Sequence, residues 1–138
     1  MFQFENTIRG RMNIEKVWRL YSDVSQWSEW DSDMQKVTLE GEFVTGTSGT
    51  MFMKGMPPLQ FTLNEVEKNK VFVNSSVLGE ITVTFGHYIF EEGDEEYALK
   101  HTVTAMGPNE MQLQGIGQGI VANIPFNMER LFHLVRIE

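Results

Sequence analysis

The chain has 138 residues, 41% hydrophobic and 22% charged, with 11 Lys and Arg against 19 Asp and Glu for a formal net charge of -8. That length suits one domain, 1–138, with a sizeable core. The acidic balance argues against nucleic acid and anionic membrane as partners, since both reward clustered Lys and Arg, and no apolar run is long enough to insert across a bilayer. There is no cysteine, which excludes disulfides, thiol catalysis and Cys-ligated zinc. The opening Met1-Phe2-Gln3-Phe4-Glu5 has no basic segment followed by an apolar one, so a cytoplasmic protein is expected.

Phe2 to Arg9 alternates Phe2, Phe4, Asn6 and Ile8 against Gln3, Glu5, Thr7 and Arg9, the period of a half-buried strand. Asn13 is a good N-cap, and Ile14, Val17, Trp18 and Tyr21 share one face of the short helix it starts. Ser22 or Asp23 can cap a second short helix that carries Val24 and Trp27 and ends near Trp30-Asp31. From Met34 onward the pattern is almost all strand. Val37, Leu39, Gly41 and Phe43 alternate, and segments follow at 50–54, 60–67, 71–78, 81–91 and 97–106. Pro57-Pro58, Lys68-Asn69-Lys70, Gly79-Glu80 and Gly93-Asp94 punctuate them, and the last three read as hairpin loops. The acidic residues around Asp94 lack the spacing of an EF-hand and read as a solvated turn.

The last stretch, 111–137, lays Leu113, Ile116, Ile120, Ile124, Met128, Leu131 and Val135 along one stripe at helical steps of three and four. Gly115, Gly117 and Gly119 crowd its first half, and Pro125 interrupts it. Such a helix needs packing support, and its small residues are expected to leave space above a sheet. The element order is strand, two short helices, six strands, long helix. The expected fold is α+β: a curved antiparallel sheet of about seven strands wrapped around the C-terminal helix.

Hairpin length sets trial registers. A two-residue loop at Gly79-Glu80 places Leu78 opposite Ile81 and Phe72 opposite His87, and a loop centred on Asp94 places His87 opposite His101. A two-residue loop at Lys68-Asn69 places Glu65 opposite Phe72. Glu65, Phe72, His87 and His101 then form one row across four strands, on a face that also holds Phe61, Leu63, Phe85, Asn74 and Ser76. The histidines read either as groups satisfied by neighbours or as polar points in an apolar pocket. Glu65 lies about 10 Å from His87 in this register, too far to complete a zinc shell. No metal and no cofactor are expected.

Glu15-Lys16-Val17-Trp18 and the run Asp23-Val24-Ser25-Gln26-Trp27-Ser28-Glu29-Trp30-Asp31 resemble the helix and the "D-V-x-x-W-x-x-W-D" turn of the START-like, Bet v 1-like (SRPBCC) superfamily, particularly its small polyketide cyclase/dehydrase-type proteins. Gly46-Thr47-Ser48-Gly49 and Thr102-Val103-Thr104 resemble that family's glycine-rich connection and threonine-rich last strand, while Ser32 stands where many relatives have proline. The resemblance implies a helix-grip fold with a cavity between sheet and long helix. It also implies a small apolar or amphipathic ligand as partner. The expected walls are Trp18, Phe61, Leu63, Phe85, His87, His101, Ile116, Ile120 and Ile124. A cyclase or dehydratase with His87 or His101 as general acid or base is the rival reading, and a protein-binding, chaperone-cofactor-like module is a third.

Overall fold

The computed structural model describes residues 1–137. Strand β1 (Phe2–Arg11) leads to helix α1 (Ile14–Ser22), a 3-10 turn (Val24–Gln26) and the single-turn helix α2 (Trp27–Trp30). Six strands follow: β2 (Met34–Leu39), β3 (Ser48–Met53), β4 (Leu59–Glu67), β5 (Val71–Leu78), β6 (Ile81–Gly93) and β7 (Glu96–Met106). Helices α3 (Glu110–Val121) and α4 (Ile124–Val135) end the chain. The expected α+β order is therefore present.

The side-chain caps stand where their chemistry requires. Asn13 accepts from the Lys16 N–H (3.2 Å), Asp23 from the Ser25 N–H (3.0 Å) and Asn109 from the Gln112 N–H (3.0 Å). Each satisfies an N–H that the first helical turn leaves without a backbone partner.

All neighbouring strands are antiparallel, in the order β1-β7-β6-β5-β4-β3-β2. The N-terminal strand thus adds to the far side of a meander. Leu78 pairs with Ile81 across Gly79, whose φ of 62° suits a two-residue hairpin. Phe72 pairs with His87, and His87 with His101, as the trial registers require.

The β4–β5 register differs near its loop. Glu67 pairs with Val71, so the loop is the three residues Lys68-Asn69-Lys70, with Asn69 at φ 63°. Val66 rather than Glu65 therefore faces Phe72, and Glu65 is exposed. A bulge between Leu63 and Glu65 absorbs the extra residue. Beyond it, Leu63 pairs with Asn74, so Phe61 and Leu63 still face inward. The polar row is then completed from the other side: Asn6 of β1, not Glu65, pairs with His101.

The final helix is two helices. The first ends at Val121 and the second begins at Ile124, with Pro125 in its first turn, where a missing N–H breaks no helical hydrogen bond. Each half serves a different part of the core. Leu113 and Val121 of α3 pack with Phe2, Ile81, Val83, Val103 and Ala105. Leu131 and Val135 of α4 pack with Met12, Val17, Tyr21, Trp27, Trp30 and Phe72. The Asn13 N–H donates to the Val135 carbonyl (2.9 Å) and the Ile137 N–H to the Arg11 carbonyl (3.0 Å), tying the end of α4 to the end of β1. Around the acidic loop, Arg9 pairs with Glu92 (3.2 Å) and Arg11 with Glu95 (2.8 Å). Pairs this exposed contribute at most about 1 kcal/mol each.

The three glycines of α3 do not act together. A Cβ on Gly117 would collide with the ring of Phe2, whereas nothing lies within 4 Å of one on Gly115 or Gly119. Both of the latter are exposed, so they do not open the concavity, contrary to expectation. Gly115→Ala should raise stability by up to about 1 kcal/mol through helix propensity. Gly117→Ala should lower it by about 1–3 kcal/mol through overpacking. Urea denaturation of the two variants checks the opposite signs.

Candidate functional site

Tyr21 lies on the face of α1 that meets the sheet and is fully buried. Its hydroxyl lies 2.7 Å from His101 Nε2. A phenol kept neutral by burial has a proton to place, and this nitrogen is its one side-chain partner among the described residues. Tyr21 therefore donates, and His101 carries its own proton on Nδ1. His87 Nδ1–H donates to the Phe72 carbonyl (3.1 Å), so its Nε2 is a bare acceptor. The His87 ring also stacks on Phe72 at 3.8 Å and 6° and meets His101 edge-on at 4.7 Å.

The two-tryptophan turn has a mechanical role. The last carbonyls of a helix lack intrahelical partners. In α1 two indoles supply them: Trp27 Nε1–H donates to the Tyr21 carbonyl (2.9 Å) and Trp30 Nε1–H to the Leu20 carbonyl (3.1 Å). Asp31 follows and accepts from the Asp33 N–H (3.0 Å) and the Asn127 amide (3.4 Å). Asn127 accepts in turn from the Ser32 N–H (3.2 Å), and Asn123 donates to Asp33 (3.1 Å). The turn is thus fastened to α1 by its indoles and to the α3–α4 junction by its carboxylates.

A cavity lies between the two core clusters. From the first it takes Trp27, Trp30, Met34, Met51 and Phe72, and from the second Phe85, Val103, Ile120 and Ile124. Asn74, His87, His101 and Asn127 supply buried polar wall, and Asp31 and Asp33 lie at a half-exposed side. Its volume, about 80 Å³ for the centre of a water-sized sphere, corresponds to on the order of five to eight waters. Asn74 is only 2% exposed, yet its Oδ1 has no hydrogen-bond partner. Among the described residues no group of three His, Asp or Glu side chains could hold a metal.

Of the nine expected wall residues, Phe85, His87, His101, Ile120 and Ile124 line this cavity. The other four lie elsewhere. Trp18 is half-buried beside Phe43, because the neighbouring Val17 and Tyr21 take the inward face of α1. Phe61 and Leu63 belong to the filled first cluster, with Phe61 against Trp27 at 5.6 Å. Ile116 packs into the second cluster, one turn before Ile120. Tyr21, Trp27, Trp30 and Asn127 went unread as site residues. One signal was available: Tyr21 falls four residues after Val17 on an apolar face, and a buried hydroxyl needs a partner.

Burial pushes the His87 pKa down to about 3, against the pull of the Phe72 carbonyl. Burial, and then the neighbouring His87, hold His101 well below the usual histidine range. Burial raises Asp31 despite the N–H groups it accepts. Both imidazoles are therefore neutral in the fold and protonate more readily once unfolded. Stability should be full above the unfolded value of about 6.5 and fall as pH drops below it, by at most about 1.4 kcal/mol per pH unit per group. Asp31 acts in the opposite sense near the carboxylate range, about pH 4, so the histidine slope is read above that range. Replacing both His87 and His101 by Gln should flatten it in urea melts at stepped pH. Tyr21→Phe should cost about 1–3 kcal/mol by leaving His101 Nε2 without its donor.

Residues 1–114 match the family described as polyketide cyclase/dehydrase and lipid transport. No curated protein sequence matches the chain. Among solved structures, Ara h 8.0201 superposes with TM-score 0.72 at 13% identity, covering 94% of each chain. Norcoclaurine synthase from Thalictrum flavum, in complex with dopamine and hydroxybenzaldehyde, gives 0.70 at 11% over 96% of this chain and 85% of that one. The di-domain ARO/CYC BexL of the BE-7585A biosynthetic pathway gives 0.76 at 12% over 97% and 46%. Identities this low speak to the fold alone. The family match extends through the strand, the capped turn and the histidine row into α3, and the chain belongs to the polyketide cyclase/dehydrase and lipid transport family.

Proposed function

We propose that this chain binds a small, largely apolar molecule with one polar end in the cavity between the sheet and the α3–α4 junction. The observation that carries the reading is Asn74, a residue of the cavity wall whose amide oxygen is buried with no donor. A closed core would pair such a group, since leaving it bare costs about 1–3 kcal/mol. The aromatic and methionine walls supply apolar contact, and methionine adapts to varied shapes. An acidic chain without cysteine suits the cytoplasm as its place of work.

The enzymatic alternative has one favourable feature, the Tyr21–His101 hydrogen bond beside the cavity. Its weakness is the acid–base range. A general base works best with a pKa near the operating pH, and burial holds both histidines far below it. Binding is therefore the better-supported reading, and the cavity gives it a location that a protein-docking module would not need.

Ile120 lines the cavity from α3, so Ile120→Trp should fill it. In a thermal-shift screen of flavonoids, isoprenoids, aromatic polyketides and fatty acids, a true ligand at 100 times its Kd adds about 2.7 kcal/mol, or several degrees. That compound should shift the parent and leave the folded Ile120→Trp variant unmoved. If no compound moves the parent and Ile120→Trp is grossly destabilised, the space is closed core and the proposal is wrong.

A further inference from the structure

All three tryptophans of the chain and one tyrosine form a continuous aromatic path under the helical cover. Trp18 is half-buried and meets the Tyr21 ring edge-on at 6.4 Å. Tyr21 meets Trp30 at 5.7 Å, and Trp30 meets Trp27 at 6.5 Å. Indole and phenol are the aromatic side chains that most readily give up one electron. Rings this close pass the resulting vacancy along in short steps.

The partner of each polar hydrogen decides where a vacancy comes to rest. An oxidised ring is a strong acid at its N–H or O–H, so it is trapped where a base takes that proton. Trp27 and Trp30 have no such base. Their indole N–H groups donate to the Tyr21 and Leu20 carbonyls (2.9 and 3.1 Å), and a backbone carbonyl accepts a hydrogen bond without taking the proton. Tyr21 differs. Its O–H donates at 2.7 Å to His101 Nε2, a neutral imidazole nitrogen able to take the proton outright. Both side chains are buried, so bulk water does not compete. Moving the vacancy from Trp30 to Tyr21 exchanges one buried cation, the oxidised indole, for another, the His101 imidazolium. The cost of burying a charge therefore does not oppose the step.

We infer that the Tyr21–His101 pair is a redox site, which collects a one-electron oxidising equivalent from the tryptophans as a neutral tyrosyl radical beside an imidazolium. A one-electron oxidant at the surface takes an electron from Trp18. Tyr21 replaces that electron, and its O–H proton passes to His101 Nε2. A small surface reductant, ascorbate for instance, returns one electron by the same path, and the proton goes back to the phenol. No bond to the oxidant forms. The site needs no ligand in the cavity, so it stands apart from the binding reading. It spares Trp27 and Trp30, which cap the end of α1 and form cavity wall, from lasting in an oxidised state.

Flash–quench oxidation by a ruthenium polypyridyl complex at neutral pH, read by transient absorption and electron paramagnetic resonance, tests the pair. The chain has three tyrosines. The full chain carrying Tyr88→Phe and Tyr97→Phe keeps both rings and leaves Tyr21 as the one source of a tyrosyl signal. That signal should grow as the tryptophanyl signal decays. It should grow more slowly in heavy water, because a proton moves with the electron. His101→Gln in this background is the decisive variant. Its amide oxygen accepts the Tyr21 hydrogen bond but not the proton, so the tyrosyl signal should be lost and the tryptophanyl signal persist. Tryptophanyl radicals alone in the starting background overturn the inference, and so does an undiminished tyrosyl yield in His101→Gln. Should that variant fail to fold, the isotope comparison decides: slower growth in heavy water upholds the site, and equal rates overturn it.

Discussion

The hydrogen bond from Tyr21 to His101 joins the helical cover to the sheet at its most expensive point. Both side chains are buried, and neither can be left without a partner cheaply. Closing the bond sets the rotation of α1, because the hydroxyl must reach β7. It also sets the histidine tautomer, because a nitrogen that accepts cannot carry the proton. The ring of Tyr21 is then wedged among Trp30, Phe72, His87 and His101, with centroids 5.1 to 5.8 Å away. Aromatic pairs at such spacings contribute roughly 0.5–1.5 kcal/mol each beyond their area. Moving Tyr21 would disturb all of them together.

The tryptophan turn depends on the same residue through its backbone. The Tyr21 carbonyl takes the Trp27 indole N–H, and the Leu20 carbonyl takes that of Trp30. One pair of side chains thus ends a helix, fills the first core cluster and forms cavity wall. This gives a physical reason for two tryptophans three residues apart, followed by aspartate, in this chain. Their spacing follows from the carbonyls they cap, and Asp31 continues the chain of hydrogen bonds to Asn127 on α4.

Much of this was legible in the sequence where a local rule sets a global position. Gly79 sets the β5–β6 register, and alternation carries that register to the facing histidines. The inward set Phe72, Asn74 and Ser76 proved correct although the opposite face holds more valine; Val77 is 67% exposed. The Glu65 error has a specific cause. A three-residue loop and a compensating bulge cancel within one strand pair, so the far residues keep their expected partners while those between shift. Two opposite irregularities leave no trace in periodicity. Alternation puts Asn6 on the inward face of β1, but its place in the polar row depends on β1 joining β7, a pairing of strands far apart in sequence. The cavity was harder still. Whether a face is filled or open depends on volumes contributed by several elements, and the glycines that suggested space in α3 proved to be one close contact and two exposed positions.

Three features that look separate coincide along one line across the molecule. The last helix breaks between Val121 and Ile124. The apolar core divides into two clusters, one under each half of that helix. The polar residues Asn74, His87 and His101 lie on the sheet where the clusters part. A continuous helix with an apolar stripe would press one core against the sheet, and buried polar groups beneath it would be costly. A helix that stops and restarts gives up side-chain contact at the junction, and the sheet residues opposite can then be polar at lower cost. Ile120 and Ile124 stand on either side of the break and both reach the cavity, while Asn127 anchors the second half to Asp31 and the Ser32 backbone. Pro125, which reads in the sequence as a kink in one helix, marks the start of the second and with it the position of the site.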